Sequence, residues 1–199
     1  MYENVITIPR GRSLGGLREG SEVRARRVGI LTFSDGRRHV HQELLPLTRS
    51  FQEALARRLR EEGWEVVTGR EIVWTTDLAK SEARYLAAEG VEATIFNFAI
   101  WSFPHLPAIA AQFAPGPFLL FSNVNPQYPG LVGMLASAGA LDQVGAFHAR
   151  VSGDVADDRV FTRVLQFLRA AVAVNRLRGE TYGLIGGRSM GMYLSLIHI

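Results

Sequence analysis

Read for its apolar and polar positions, the chain divides into short apolar runs separated by longer amphipathic stretches. Val28-Gly29-Ile30-Leu31-Thr32-Phe33 is a short apolar run closed by Ser34-Asp35-Gly36, the pattern of a buried strand entering a turn. Behind it, Leu44, Leu47, Phe51, Leu55 and Leu59 recur at helical spacing. A long helix is predicted there, with Pro46 tolerable only in its first turn and Gly63 ending it. The alternation then repeats: strands at 64–67, 93–98, 118–122 and 146–151, helices over 77–88, 106–113, 131–140 and 157–177. The last helix carries Val160, Phe161, Val164, Leu168, Ala171 and Val172 on one face, and Gly179 ends it. Tyr182-Gly183-Leu184-Ile185 reads as one more strand.

Strands alternating with helices of ~10–20 residues require right-handed crossovers and a parallel sheet covered on both faces. The predicted fold is α/β, a three-layer αβα, doubly wound, mostly parallel, Rossmann-like (flavodoxin-like) sheet. Ligands collect at the carboxyl ends of the strands in such sheets. The informative loops are therefore 34–39, 99–104, 123–130, 152–154 and 186–191. Residues 1–25 are Gly- and Arg-rich without periodicity and read as an N-terminal arm, 26–178 as the domain proper, and 179–193 as the start of a second domain. Leu194-Ser195-Leu196-Ile197-His198-Ile199 stands where a βα unit should begin its helix. Those six residues are also the translation of a transposase end sequence used in sequencing libraries, and 194–199 are read as an adapter artefact that cuts the protein short.

Composition narrows the setting. At 199 residues with 47% hydrophobic and 21% charged positions, the chain suits one core-bearing domain, and no run of ~18 apolar residues predicts a membrane span. The first twenty residues lack the apolar core of a secretory signal, and there are 0 cysteines, so a cytoplasmic setting is expected. The net charge of +3 comes from arginines interleaved with acids, as in Arg57-Arg58-Leu59-Arg60-Glu61-Glu62, which argues against a nucleic-acid surface.

Candidate chemistry lies in the loops. Arg37 and Arg38 follow the first strand, and their forked donors suit hydroxyl groups; the alternative is a solvated turn or a salt bridge to a neighbouring subunit. Trp101, after the third strand, offers a flat apolar face to the C–H surface of a sugar, or equally to a packing partner. Asp35 is expected to cap the turn or fix Arg37 rather than act as a base. His39 and His41 have a spacing seen in metal sites but no third ligand nearby, and His105 is expected at the mouth of the pocket. Asn123, Asn125 and Gln127 suit either sugar hydroxyls or, preferably, the cap of the helix predicted from Leu131. Gly186-Gly187-Arg188-Ser189-Met190-Gly191 follows a strand but lacks the Lys-Ser/Thr ending of a phosphate loop, and reads as a tight crossover into the next domain.

Val28-Gly29-Ile30 with Ser34-Asp35-Gly36-Arg37-Arg38, then Trp101, then Leu177-Arg178-Gly179-Glu180-Thr181-Tyr182 leading to Gly186-Gly187-Arg188-Ser189-Met190-Gly191, resemble in order and spacing the landmarks of L-fucose isomerases from about residue 27 to 193. The resemblance, which extends to the L-arabinose isomerase type, implies a homo-oligomeric aldose–ketose isomerase whose first domain is Rossmann-like. Later domains of that family carry Mn²⁺ on two carboxylates and a histidine, and a carboxylate moves a proton through an enediol. It further implies a pocket shared between subunits, a monosaccharide substrate such as L-fucose, D-arabinose or a related aldose, and substrate contacts from Arg37, Arg38 and Trp101, with Arg188 and Ser189 as minor candidates. No metal ligand is assigned in this chain, which by itself is expected to be inactive. Phe98-Ala99-Ile100 departs from the more polar or cysteine-bearing loop of those enzymes, so the sugar is not fixed by the likeness. A non-catalytic sugar-binding module and a flavodoxin-like nucleotide-binding domain are the alternatives.

Overall fold

A computed structural model describes residues 25–125, 127–178 and 180. Five strands, β1 (Arg27–Phe33), β2 (Glu65–Thr68), β3 (Ala93–Phe98), β4 (Phe118–Ser122) and β5 (His148–Ser152), alternate with five helices. The helices are α1 (Arg38–Glu61), α2 (Thr76–Ala88), α3 (His105–Ala110), α4 (Gly130–Gln143) and α5 (Asp158–Leu177). The strands form one wholly parallel sheet in the order β2-β1-β3-β4-β5.

The apolar runs explain this arrangement. Every residue of β3 and β4, and all of β1 except Arg27, is buried, as strands covered on both faces must be. On one face α1 and α5 pack Leu55, Leu59, Phe161, Val164 and Leu168 against Ile30, Ile95 and Phe121. On the other, α2, α3 and α4 cover Leu31, Phe33, Phe96 and Phe98. There Phe33 meets Phe96 edge-on at 5.2 Å and stacks on Phe98 at 5.4 Å. The α/β doubly wound expectation thus holds.

Boundaries shift by one to three residues at several elements, and three differences bear on the packing. The helix after β1 begins at Arg38, so Pro46 lies in its third turn and not its first. Proline there removes one donor and crowds the carbonyl four residues back. Both Pro46 and Gln42 are exposed, so the freed Gln42 carbonyl is left to water. Strand β5 begins at His148, because Gly145 turns the chain with φ of 68° and Ala146 still closes α4 through its N–H to the Leu141 carbonyl. Helix α3 is shorter than its pattern, ending at Ala110. The sixth strand predicted at 182–185 lies outside the described residues.

Candidate functional site

The strand order reverses between β1 and β3, whose successors β2 and β4 lie on opposite sides of them, and the loops leaving such a pair diverge into a crevice at the carboxyl edge. The β1 loop carries Asp35, Gly36 and Arg37; the β3 loop carries Trp101, Ser102 and Phe103. The two are joined where Gly36 lies beneath the Phe103 ring: a Cβ at Gly36 would fall 2.9 Å from it. Only glycine lets the loops meet this closely.

Asp35 organises the first loop. Its side chain is 1% exposed, and its carboxylate accepts from the Arg37 backbone N–H at 2.9 Å, from Arg37 Nε at 3.0 Å and from Arg37 Nη2 at 2.6 Å. The Arg37 guanidinium holds the Asp35 carboxyl below the ordinary carboxylate range, outweighing the opposing effect of burial. Arg37 remains 60% exposed, so its fork is fixed on one side and open on the other. The expectation that Asp35 fixes Arg37 is therefore met. Arg38, the first residue of α1, is exposed and has no ion pair among the described residues.

Trp101 is half-buried and meets Phe103 edge-on at 6.1 Å, and Phe103 lies 6.0 Å from the exposed His105. The alternation Trp101-x-Phe103-x-His105 is a visible signal, yet Phe103 was not singled out from the sequence. Beneath this loop α4 approaches by its glycines. A Cβ on Gly130 would sit 2.5 Å from the Phe98 carbonyl oxygen, and one on Gly133 2.9 Å from the Ser102 nitrogen.

That approach corrects the expectation for the β4 loop. Asn123, Asn125 and Gln127 do not cap α4: its N-cap is Pro129, which offers no side-chain bond. Asn125 Oδ1 instead accepts from the Gln127 N–H at 2.9 Å, closing its own turn, and Asn123 is buried. Asn123 borders, with Phe51, Arg57, Asp154 and Val155, a cavity of about 610 Å³ at the carboxyl ends of β4 and β5.

His39 and His41 sit two apart near the start of α1, a spacing that points side chains to opposite sides of a helix. His39 is exposed, whereas the His41 ring is buried, stacks on Trp74 at 4.9 Å and pairs through Nδ1 with Ser34 Oγ at 3.1 Å. Burial pushes its pKa down. A second buried carboxylate, Glu82 of α2, holds the loop after β2 by accepting from the Arg70 N–H at 2.7 Å and Arg70 Nη2 at 3.0 Å. Neither Trp74 nor Glu82 was found by sequence reasoning, because their partners lie far along the chain. Arg188 and Ser189 lie outside the described residues.

Chemically, the crevice offers an oriented guanidinium, an indole, the Phe103 ring and the exposed His105 imidazole. Among the described residues no group of three His, Cys, Asp or Glu could hold a metal ion, and no helix is long and apolar enough to cross a membrane. In comparison with known proteins, residues 25–179 match the family model described as L-fucose isomerase, first N-terminal domain. No curated protein matches the chain.

Proposed function

The chain belongs to the L-fucose isomerase family through its first N-terminal domain, and from that premise we propose that this domain recognises the substrate and supports oligomerisation in a metal-dependent aldose–ketose isomerase. The observation that carries the reading is Arg37, pinned by buried Asp35 at the β1/β3 crevice beside the aromatic loop of Trp101. A guanidinium fork with open donors suits sugar hydroxyls, and an indole suits the C–H face of the ring. Arg38 stands next to them, free to reach the same ligand; Arg188 and Ser189 stay minor candidates.

Mn²⁺ belongs to the same proposal, but the described residues do not fit it, since no three potential ligands converge. We therefore assign the metal and the proton-transferring carboxylate to other parts of the enzyme. The substrate would be L-fucose, D-arabinose or a related aldose, including the type used by L-arabinose isomerases, in a pocket completed by a neighbouring subunit, in the cytoplasm. The flavodoxin-like alternative is disfavoured by Asp35: its carboxylate stands in the loop before α1 and already takes the Arg37 backbone N–H and two guanidinium donors that a phosphate there would use.

The test uses the intact enzyme that carries this domain. Trp101→Ala and Arg37→Ala should each lower kcat/KM for the preferred aldose at least about tenfold while bound metal stays constant. Unchanged kcat/KM in both would remove the recognition role. The chain of 199 residues alone should turn over no L-fucose or D-arabinose with any metal; activity would place the chemistry in this domain after all.

A further inference from the structure

We propose that the cavity between α1 and the loop after β5 is a second binding site, for a neutral polyhydroxylated molecule of monosaccharide size, separate from the β1/β3 crevice. Its volume of about 610 Å³ falls within the ~300–1,000 Å³ usual for small-molecule pockets. No residue of the Asp35–Arg37 or Trp101–Phe103 loops lines it, so the inference does not depend on what the crevice binds. Asn123 after β4 and Asp154 after β5 reach it from the carboxyl edge of the sheet, where ligands of parallel sheets collect.

The buried side chains beneath the cavity point to a ligand. Alternation along β3 puts Asn97 on the face of Ile95, and alternation along β4 puts Asn123 on the face of Leu119 and Phe121, the face that α1 covers. Gln52, one turn before Leu55 and Ala56, is buried on the stripe of α1 that packs there. Each of these three amides keeps one buried polar atom without a hydrogen-bond partner among the described residues: Gln52 Oε1, Asn97 Oδ1 and Asn123 Nδ2. Asn97 is held by its other end, through Nδ2 to Thr32 Oγ1 at 3.1 Å. Asn123 is 4% exposed and is the one of the three that lines the cavity. Buried polar groups left unpaired are costly and rare. A ligand hydroxyl both donates and accepts, so it satisfies the Asn123 amide whichever way that amide is turned.

The walls select the class of ligand. Arg57 is exposed and forms no ion pair among the described residues, so its donors are open, whereas Arg58 is committed to the Val155 carbonyl and to Asp158. Asp154 Oδ1 accepts from the Ala156 N–H at 2.8 Å, which leaves the other carboxylate oxygen as an acceptor, and Glu61 adds a second carboxylate. Two arginines set against two carboxylates favour neither a phosphate nor an amine. Phe51 and Val155 add apolar surface for ring C–H groups. Donors, acceptors and apolar surface without net charge suit a polyol.

The test titrates L-fucose, D-arabinose and, separately, inorganic phosphate into the isotope-labelled full chain, read by NMR at the Asn123 side-chain amide and the Trp101 indole. A saturable shift at Asn123 is expected with a sugar. Arg57→Ala, which removes a charged hydrogen-bond donor from an exposed position, should weaken it at least about fivefold. Ala54→Phe, which fills the cavity, should abolish it, and Trp101→Ala should leave it unchanged. No saturable shift at Asn123 with either sugar, a shift that Arg57→Ala leaves untouched, or a response to phosphate alone would each overturn the proposal. A shift confined to Trp101 would remove this second site and leave the crevice reading standing.

Discussion

Replacing Asp35 by asparagine removes a charge and almost no volume, and the structure fixes what should follow. Three hydrogen bonds converge on the carboxylate, two of them from the guanidinium. The substituted carboxamide would keep one acceptor for the Arg37 backbone N–H but turn an N–H toward Arg37 Nη2. Hydrogen bonds to charged groups contribute roughly 1.5–3 kcal/mol each. Arg37 is 60% exposed and regains water when released, so the net loss is discounted to about 1.5 kcal/mol. For a chain of this size that corresponds to a fall in Tm of about 3–6 °C. The sign with pH is also set. Asp35 is held below its unfolded value of about 3.9, so its contribution is complete above that value and is lost as pH falls through the lower folded one. Thermal unfolding of wild type and Asp35→Asn from pH 8 to pH 3 should show a constant gap down to about pH 5 that closes in stronger acid. In the intact enzyme Asp35→Asn should lower kcat/KM, and the double variant with Arg37→Ala should be no worse than Arg37→Ala alone, since both act through one guanidinium. The reasoning fails if the gap is absent at neutral pH, or if it widens in acid.

Gly130→Ala forces a Cβ to 2.5 Å from the Phe98 carbonyl and should cost about 1–3 kcal/mol in urea unfolding. Gly139→Ala, in the same helix with nothing within 4 Å of its Cβ, should instead stabilise by about 0.5–1 kcal/mol; equal effects at the two sites would discredit the close approach of α4 to the Trp101 loop. His41 faces Ser34 and Trp74, with Arg49 lowering and Glu71 raising its pKa after the larger effect of burial. A base with a depressed folded value costs stability as pH falls from its ordinary value of about 6.5 toward the folded one. The urea midpoint should therefore drop between pH 7.5 and pH 5, and His41→Gln should flatten that drop; an unchanged slope in the variant would assign it to another group.

The fold was legible because its strongest signals are local. Strands 93–98 and 118–122 were bounded correctly from apolar runs that no amphipathic helix would show. The pairing of Asp35 with Arg37 was legible for the same reason, as it spans two residues. Pro46 misled because the rule for proline counts one lost hydrogen bond, whereas a helix of 24 residues with Leu55 and Leu59 fully buried outweighs it. What the sequence hid is contact across the chain. Gly36 under Phe103, Gly133 against Ser102, His41 on Trp74 and Glu82 on Arg70 join residues 12 to 67 positions apart. No spacing announces them.

Those long-range contacts also favour recognition over chemistry at this crevice. A general base needs a carboxylate or imidazole that meets the substrate with its proton affinity near the working pH. Asp35 is buried, held in its charged form and committed to Arg37; Glu82 is 3% exposed and committed to Arg70; His41 is 8% exposed, stacked under Trp74 and bonded to Ser34. Each of these proton-carrying groups is turned inward to hold an arginine or a loop. The outward-facing groups are the open side of the Arg37 fork, Arg38, the half-buried indole of Trp101 and the exposed imidazoles of His39 and His105. On the proposed reading, this edge fixes donors and an aromatic face to orient a neutral polyol, and groups from another part of the enzyme move the proton.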